Sequence, residues 1–153
     1  MSRPRRRARE SVETDRSRTR SFPARLSALA EVAAFVAEVC AAAGFVRGAC
    51  LKLTLLVEEL FTNTIAHGHK QDSEAPVRLA FEVRPGRIAL TYEDTAPPYD
   101  PFAGVAPPDA ATTVEDRLVG GLGVLLVSAM AKDVEYRRID GKNRIALVVT
   151  APE

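Results

Sequence analysis

The stretch from Val57 to Gly68, Val-Glu-Glu-Leu-Phe-Thr-Asn-Thr-Ile-Ala-His-Gly, constrains this chain more than any other. It lies inside a long run of apolar residues at helical spacing and predicts a helix. At about 100° per residue, with Glu59 as zero, Asn63 falls at about 40° and His67 at about 80°, on successive turns. Leu53, Val57, Leu60, Phe61 and Thr64 fill an adjoining arc from about 100° to 200°. A carboxylate, a carboxamide and an imidazole therefore line one shoulder of a helix whose next face is buried. Glu58 points about 100° away from Glu59, toward solvent. An Asn oxygen is a suitable ligand for Mg²⁺, which prefers oxygen and shares its coordination with substrate phosphates. A carboxylate one turn earlier can orient or deprotonate an attacking hydroxyl. The same residues also suit a solvated helix edge, so the rest of the chain has to decide.

A chain of 153 residues predicts one domain with its own core. Hydrophobic residues at 46% and charged residues at 27% place it with ordinary globular proteins. No apolar run approaches the roughly 20 residues of a membrane span, and no secretory signal pattern follows the basic start. Cys40 and Cys50 are the two cysteines and form no CxxC pair, so neither a disulfide framework nor a zinc site is signalled. A reduced, cytoplasmic setting is the expectation. The net charge of +1 hides an asymmetry. Residues 1–25 carry nine Arg against Glu10, Glu13 and Asp15, and the remainder is mildly acidic.

Residues 1–21 are Arg-rich and nearly free of apolar side chains, which predicts a basic disordered tail. Such a tail can act as an electrostatic arm for nucleic acid, membrane or an acidic partner, or as a solubilising extension. No aromatics interleave the arginines, which disfavours nucleic acid. The folded domain is expected over 22–153. Phe22-Pro23-Ala24 reads as a short edge strand or an extended lead-in. Leu26, Leu29, Ala33, Val36 and Cys40 predict an amphipathic helix of about 18 residues, ended by Gly44. A second helix runs from about Arg47 to Ala66, with Gly68 suited to a left-handed cap. Val77–Val83 and Arg87–Glu93 alternate as a hairpin around Pro85-Gly86. Three prolines in Asp94–Pro101 exclude helix and central strand. Residues 103–119 read as a long loop, and Gly120–Gly123 opens a third helix. Val134–Ile139 and Ile145–Thr150 form a second hairpin about Asp140-Gly141. The order helix, helix, hairpin, loop, helix, hairpin predicts a two-layer α/β sandwich, with a mostly antiparallel sheet covered by about three helices on one face.

Three signals follow one another in fixed order: Glu59-x-x-x-Asn63 on a helix, Asp94-x-Ala96 after a strand, and Gly120-Gly121-Leu122-Gly123 opening a helix. A glycine-rich turn feeding a helix start is a ready phosphate site. It is neither a P-loop nor a dinucleotide fingerprint, for want of Gly-Lys-Ser/Thr and of a parallel βαβ unit. An Asp at a strand end can accept a hydrogen bond from an exocyclic amine such as that of adenine. Together the three stretches resemble the nucleotide-binding boxes of the GHKL (Bergerat-fold) ATP-binding domains. The nearest resemblance is to the small bacterial anti-sigma-factor serine/threonine kinases. Glu59–Gly68, Asp94–Phe102, Gly120–Val127 and Tyr136–Arg144 carry it, across residues 22–150.

The resemblance implies roles. Glu59 would be the general base or orienting carboxylate, and Asn63 the Mg²⁺ ligand that bridges the phosphates of ATP. Asp94 would recognise the adenine amine. Gly121 and Gly123 would let the backbone approach the phosphates, beneath a lid formed by residues 103–119. His67, Ala96, Tyr99, Gly120 and Leu122 complete the implied ATP-binding set. His67 and His69 lack partners at zinc-ligand spacing. The family often has Gly where Ala96 stands, and a methyl there would crowd the nucleotide or demand φ below zero. Ala146 occupies the place where a hydroxyl near adenine is common. The implied activity is phosphorylation of a small antagonist protein in a partner switch with a sigma factor, by a homodimer. Ala96 favours an alternative, a non-catalytic ATP-sensing module. A nucleotide-free interaction domain is the third reading.

Overall fold

A computed structural model describes residues 16–102 and 131–151. Its architecture is α/β: a five-stranded antiparallel sheet with helices packed on one face. The strands are β1 (Ser17–Pro23), β2 (Pro76–Arg84), β3 (Arg87–Asp94), β4 (Ala131–Ile139) and β5 (Lys142–Thr150). Their order across the sheet is β1-β2-β3-β5-β4, so β5 lies between β3 and β4. The helices are α1 (Leu29–Ala43), entered through a tight turn at Leu26–Ala28, and α2 (Arg47–Asn63), which widens into a π-helical segment at Thr64–His69. The third helix expected after Gly120 lies outside the described residues, as do the loop 103–119 and residues 1–15.

Period-2 alternation builds the sheet's inner face. Val77, Leu79, Phe81 and Val83 of β2, Ile88, Leu90 and Tyr92 of β3, and Ile145, Leu147 and Val149 of β5 all point into the core. Register carries the alternation across strands: Tyr92 faces Ile145 and Leu90 faces Leu147. The Asp140-Gly141 turn has φ of +50° and +75°, the conformation that a two-residue hairpin requires. β4 forms a charged outer edge with Lys132, Asp133, Glu135, Arg137 and Arg138, which blunts further strand pairing. A bulge between Lys132 and Glu135, with Asp133 at φ +53°, twists that edge.

Two expectations change here. The tail was placed at 1–21, but Ser17–Ser21 are strand. They pair with Arg78–Glu82 along β2, and the backbone hydrogen bonds of the ladder order a segment that lacks apolar side chains. Phe22 is its single deeply buried anchor. The buried stripe of α1 also differs in part from the expected one: it is Val32, Phe35, Val36, Val39, Cys40 and Ala43, which keeps Val36 and Cys40, while Leu29 and Ala33 are half-buried. Leu26 is 55% exposed because the turn at Leu26–Ala28 precedes the helix and takes it off the helical face.

By length and mean hydropathy (1.8), Leu26–Ala43 could cross a membrane. Its inner stripe instead packs on the sheet, with Glu31 and Glu38 on the exposed side, as a core helix does. Gly44 ends it at φ +70°, and the amide of Phe45 reaches the Cys40 carbonyl at 3.0 Å. The aromatic rings of Phe22, Phe35 and Phe81 tie α1 to β1 and β2, with centroids 5.9 and 5.6 Å apart in tilted and edge-on contacts. Phe35→Ala should therefore cost about 3–5 kcal/mol, and Leu26→Ala less than about 0.5 kcal/mol. Urea denaturation of both variants checks this; equal losses would contradict the packing described.

Candidate functional site

The site forms where the C-terminal end of α2 meets the end of β3. Residues 64–69 open from α-helical into π-helical winding, a feature that recurs at functional sites. Regular helical spacing sets Thr64, 3% exposed, against the sheet, and its amide still bonds the Leu60 carbonyl. Its hydroxyl lies 2.8 Å from Asp94 Oδ2, 2.5 Å from the Tyr92 hydroxyl and 3.1 Å from the Leu60 carbonyl. Thr64 has one proton to give. If Tyr92 donates to Thr64, Thr64 can donate to Asp94, and the chain of bonds is satisfied. Burial pushes the Tyr92 hydroxyl far above the ordinary tyrosine range. The hydrogen bond to Thr64 opposes that rise, and the charge of Asp94 adds to it. Tyr92 is therefore a neutral donor at any physiological pH.

Asp94 is buried, 7% exposed, with both oxygens engaged. Oδ1 accepts from Asn143 Nδ2 at 2.8 Å and from the Ala96 amide at 3.1 Å, and Oδ2 accepts from Thr64. Glu93, the preceding residue, faces the other side of the sheet. There it receives Arg144 Nε at 2.9 Å, with Arg78 and Lys142 each at 3.9 Å. Strand alternation thus gives two adjacent acidic residues separate surroundings. A cleft of about 230 Å³ beside Arg78, Glu93, Thr95 and Lys142 opens here.

Glu59 and Asn63 are both half-buried on α2, one turn apart. Glu58 is half-buried too, so the expectation that it points to solvent fails as a contrast in burial. What separates the two glutamates is the helical spacing to Asn63. His67 and Tyr99 stack, with centroids 5.9 Å apart and planes 21° apart. Gly120, Gly121, Leu122 and Gly123 lie outside the described residues. Among the described residues, no group of three or more His, Cys, Asp or Glu is placed to hold a metal ion. A single Asn oxygen still suits Mg²⁺, which takes most of its ligands from phosphates and water.

Gly68 does not supply the left-handed cap expected of it. That conformation falls on Lys70, at φ +63°. A Cβ on Gly68 would sit 2.8 Å from the Cβ of Ala96. Gly68 is therefore needed for close approach of α2 to the segment after β3. The Ala96 methyl, fully buried, is aimed at that glycine, and its φ is not positive. Ala146 likewise moves out of the place assigned to it. It pairs with Thr91 on the face away from Asp94, and Asn143 is the β5 residue opposite Asp94.

Asn143, Thr64 and Tyr92 are the site residues that motif reading missed. Thr64 and Asn143 lie inside the stretches Glu59–Gly68 and Tyr136–Arg144 that carry the resemblance, which is the signal that could have found them; Tyr92 has only its polarity within a buried strand. The chain belongs to the histidine kinase-like ATPase domain family, whose match spans residues 22–149. It is similar to the serine/threonine-protein kinase BtrW of Bordetella bronchiseptica, 29% identical over 102 residues that cover 66% of this chain and 71% of the relative. It is also similar to the serine-protein kinase RsbW of Listeria monocytogenes, 23% identical over 115 residues, with 73% and 71% covered.

The Gly68–Ala96 contact predicts a coupled pair. Gly68→Ala should destabilise the fold by about 1–3 kcal/mol through overpacking. Adding Ala96→Gly should recover most of that loss, giving a double-mutant coupling above about 0.5 kcal/mol. Additive thermal unfolding shifts across the cycle would refute the contact.

Proposed function

We propose that this protein is an ATP-dependent serine/threonine protein kinase of the anti-sigma-factor type, which phosphorylates a small antagonist protein in a partner switch. The observation that carries the reading is Asp94, a buried carboxylate tied through Thr64 to the helix that bears Glu59 and Asn63. One rigid unit thus joins a base-recognition group to two groups suited to phosphoryl transfer. Family membership supports ATP binding, and the names of the two relatives support protein kinase chemistry.

In this reading the exocyclic amine of adenine donates to Asp94. Asn63 would hold Mg²⁺, which would supply neutralisation of phosphate charge when bound. Glu59 accepts the proton of, or orients, the acceptor hydroxyl of the partner's Ser or Thr. His67 and Tyr99, stacked together, form a wall where the end of α2 meets the 94–99 segment. By the family resemblance, the glycines within 120–123, outside the described residues, would contact the phosphates. Cytoplasmic residence, a homodimer and a sigma factor as alternative partner belong to the same proposal. A non-catalytic ATP-sensing module, the reading that alanine at position 96 favours, is the alternative.

Transfer of labelled γ-phosphate to purified candidate antagonist proteins tests the reading. Glu59→Gln should lower the transfer rate about 10²–10⁴-fold with little change in ATP affinity, and Glu58→Gln should leave the rate nearly intact. Equal rates for wild type and Glu59→Gln would remove Glu59 from the mechanism. Failure of the wild type to bind Mg-ATP in calorimetry would remove the proposal as a whole.

A further inference from the structure

Asn143 is 3% exposed and is engaged at both ends of its carboxamide. Its Nδ2 lies 2.8 Å from Asp94 Oδ1, 3.0 Å from the Pro97 carbonyl and 3.2 Å from the Ala96 carbonyl. Its Oδ1 accepts from the Tyr136 hydroxyl at 2.5 Å, and from the Tyr99 amide and Arg138 NH1, both at 3.2 Å. Arg138 also reaches the Ala96 carbonyl at 2.7 Å. The orientation of the carboxamide follows from this network. Turned over, its oxygen would face the Asp94 carboxylate and two carbonyls, and its NH₂ would face three donors. Asn143 is directly opposite Asp94 in the β3–β5 register, so the backbone ladder fixes its position as well.

The acceptor count at Asp94 gives this a functional consequence. A carboxylate has about four lone-pair positions. Asn143, the Ala96 amide and Thr64 fill three of them, and one on Oδ2 is left. A carboxylate held in this way offers a single acceptor in a fixed direction. That matches one exocyclic N–H of adenine, and it opposes the carbonyl oxygen that guanine carries at the same ring position.

We propose that Asn143 is the positioning residue for nucleobase selectivity: it fixes the direction of Asp94 and holds the 96–99 backbone beside it, so that a 6-amino purine is accepted and a 6-keto purine rejected. The proposal rests on the ATP reading above. Asn143 acts through Asp94 and makes no contact of its own with the base. Removing it frees Asp94 to rotate, and the preference for amine over carbonyl falls.

The test uses the full chain, with calorimetric affinities for Mg-ATP and Mg-GTP and with phosphotransfer to a protein acceptor. Asn143→Ala should weaken ATP binding roughly tenfold, the equivalent of one hydrogen bond. It should reduce the ATP-over-GTP ratio by at least a similar factor, raise KM for ATP and leave kcat within about threefold. Asn143→Asp should be worse, since it sets a second carboxylate against Asp94. Asn143→Asp combined with Asp94→Asn should recover thermal stability without recovering the ATP-over-GTP ratio. Asn143→Ser puts a shorter hydroxyl where the carboxamide stood and serves if Asn143→Ala does not fold; its ratio should fall too. Wild type that prefers ATP, with a folded Asn143→Ala or Asn143→Ser variant of unchanged ratio, overturns the proposal and leaves the ATP reading standing. Wild type that binds neither nucleotide overturns both.

Discussion

The buried Asp94 carboxylate is the interaction on which the rest of this structure depends. A charge removed from water is tolerated only where several donors converge on it. Here one donor comes from the helical layer (Thr64), one from the neighbouring strand (Asn143) and one from the backbone that follows (Ala96). The need to satisfy Asp94 therefore fixes three segments relative to one another. It explains the buried hydroxyl of Tyr92 behind Thr64 and the tight turn of the chain at Ala96. Removal of any one donor would leave the charge short of a partner, which costs more than an ordinary hydrogen bond.

The winding of α2 is the second element of the same arrangement. A regular α-helix would continue past Asn63 with its residues on the original faces. The π-helical winding at Thr64–His69 shifts the later side chains and lets the backbone at Gly68 approach Ala96 closely. Glycine at 68 and alanine at 96 are complementary in size, because the space for one methyl is divided between them. The stacked pair His67 and Tyr99 then covers this junction on its exposed side. Asp94 and the Glu59-Asn63 shoulder thus belong to one packed unit.

Much of the architecture is legible from local pattern. Period-2 alternation in 77–83 and 87–93 and the Asp140-Gly141 turn each correspond to an observed element. Helical spacing locates α1 and α2 and two of the buried positions of α1, Val36 and Cys40, but it counts Leu26 in the stripe, which the turn at Leu26–Ala28 places before the helix. Ser17–Ser21 illustrate a different limit. Their side chains carry no strand signal, and their order comes from ladder hydrogen bonds to β2, some sixty residues away in the chain. Composition records side-chain burial and is blind to that backbone contribution.

Local sequence is enough to locate both helices and both hairpins and to single out Glu59, Asn63 and Asp94 as candidates, since spacing along one helix and the end of one strand are short-range properties. The identity of the distant residues that surround Asp94 comes from the tertiary fold. Insertion of β5 between β3 and β4 sets Asn143 across from Asp94 and turns Ala146 to the opposite face. Packing of α2 on β3 brings Thr64 to the same carboxylate and aims the Ala96 methyl at Gly68. The partners are 30 and 49 residues from Asp94. Their meeting depends on strand order and register, which pairing across the whole sheet establishes and no local window contains.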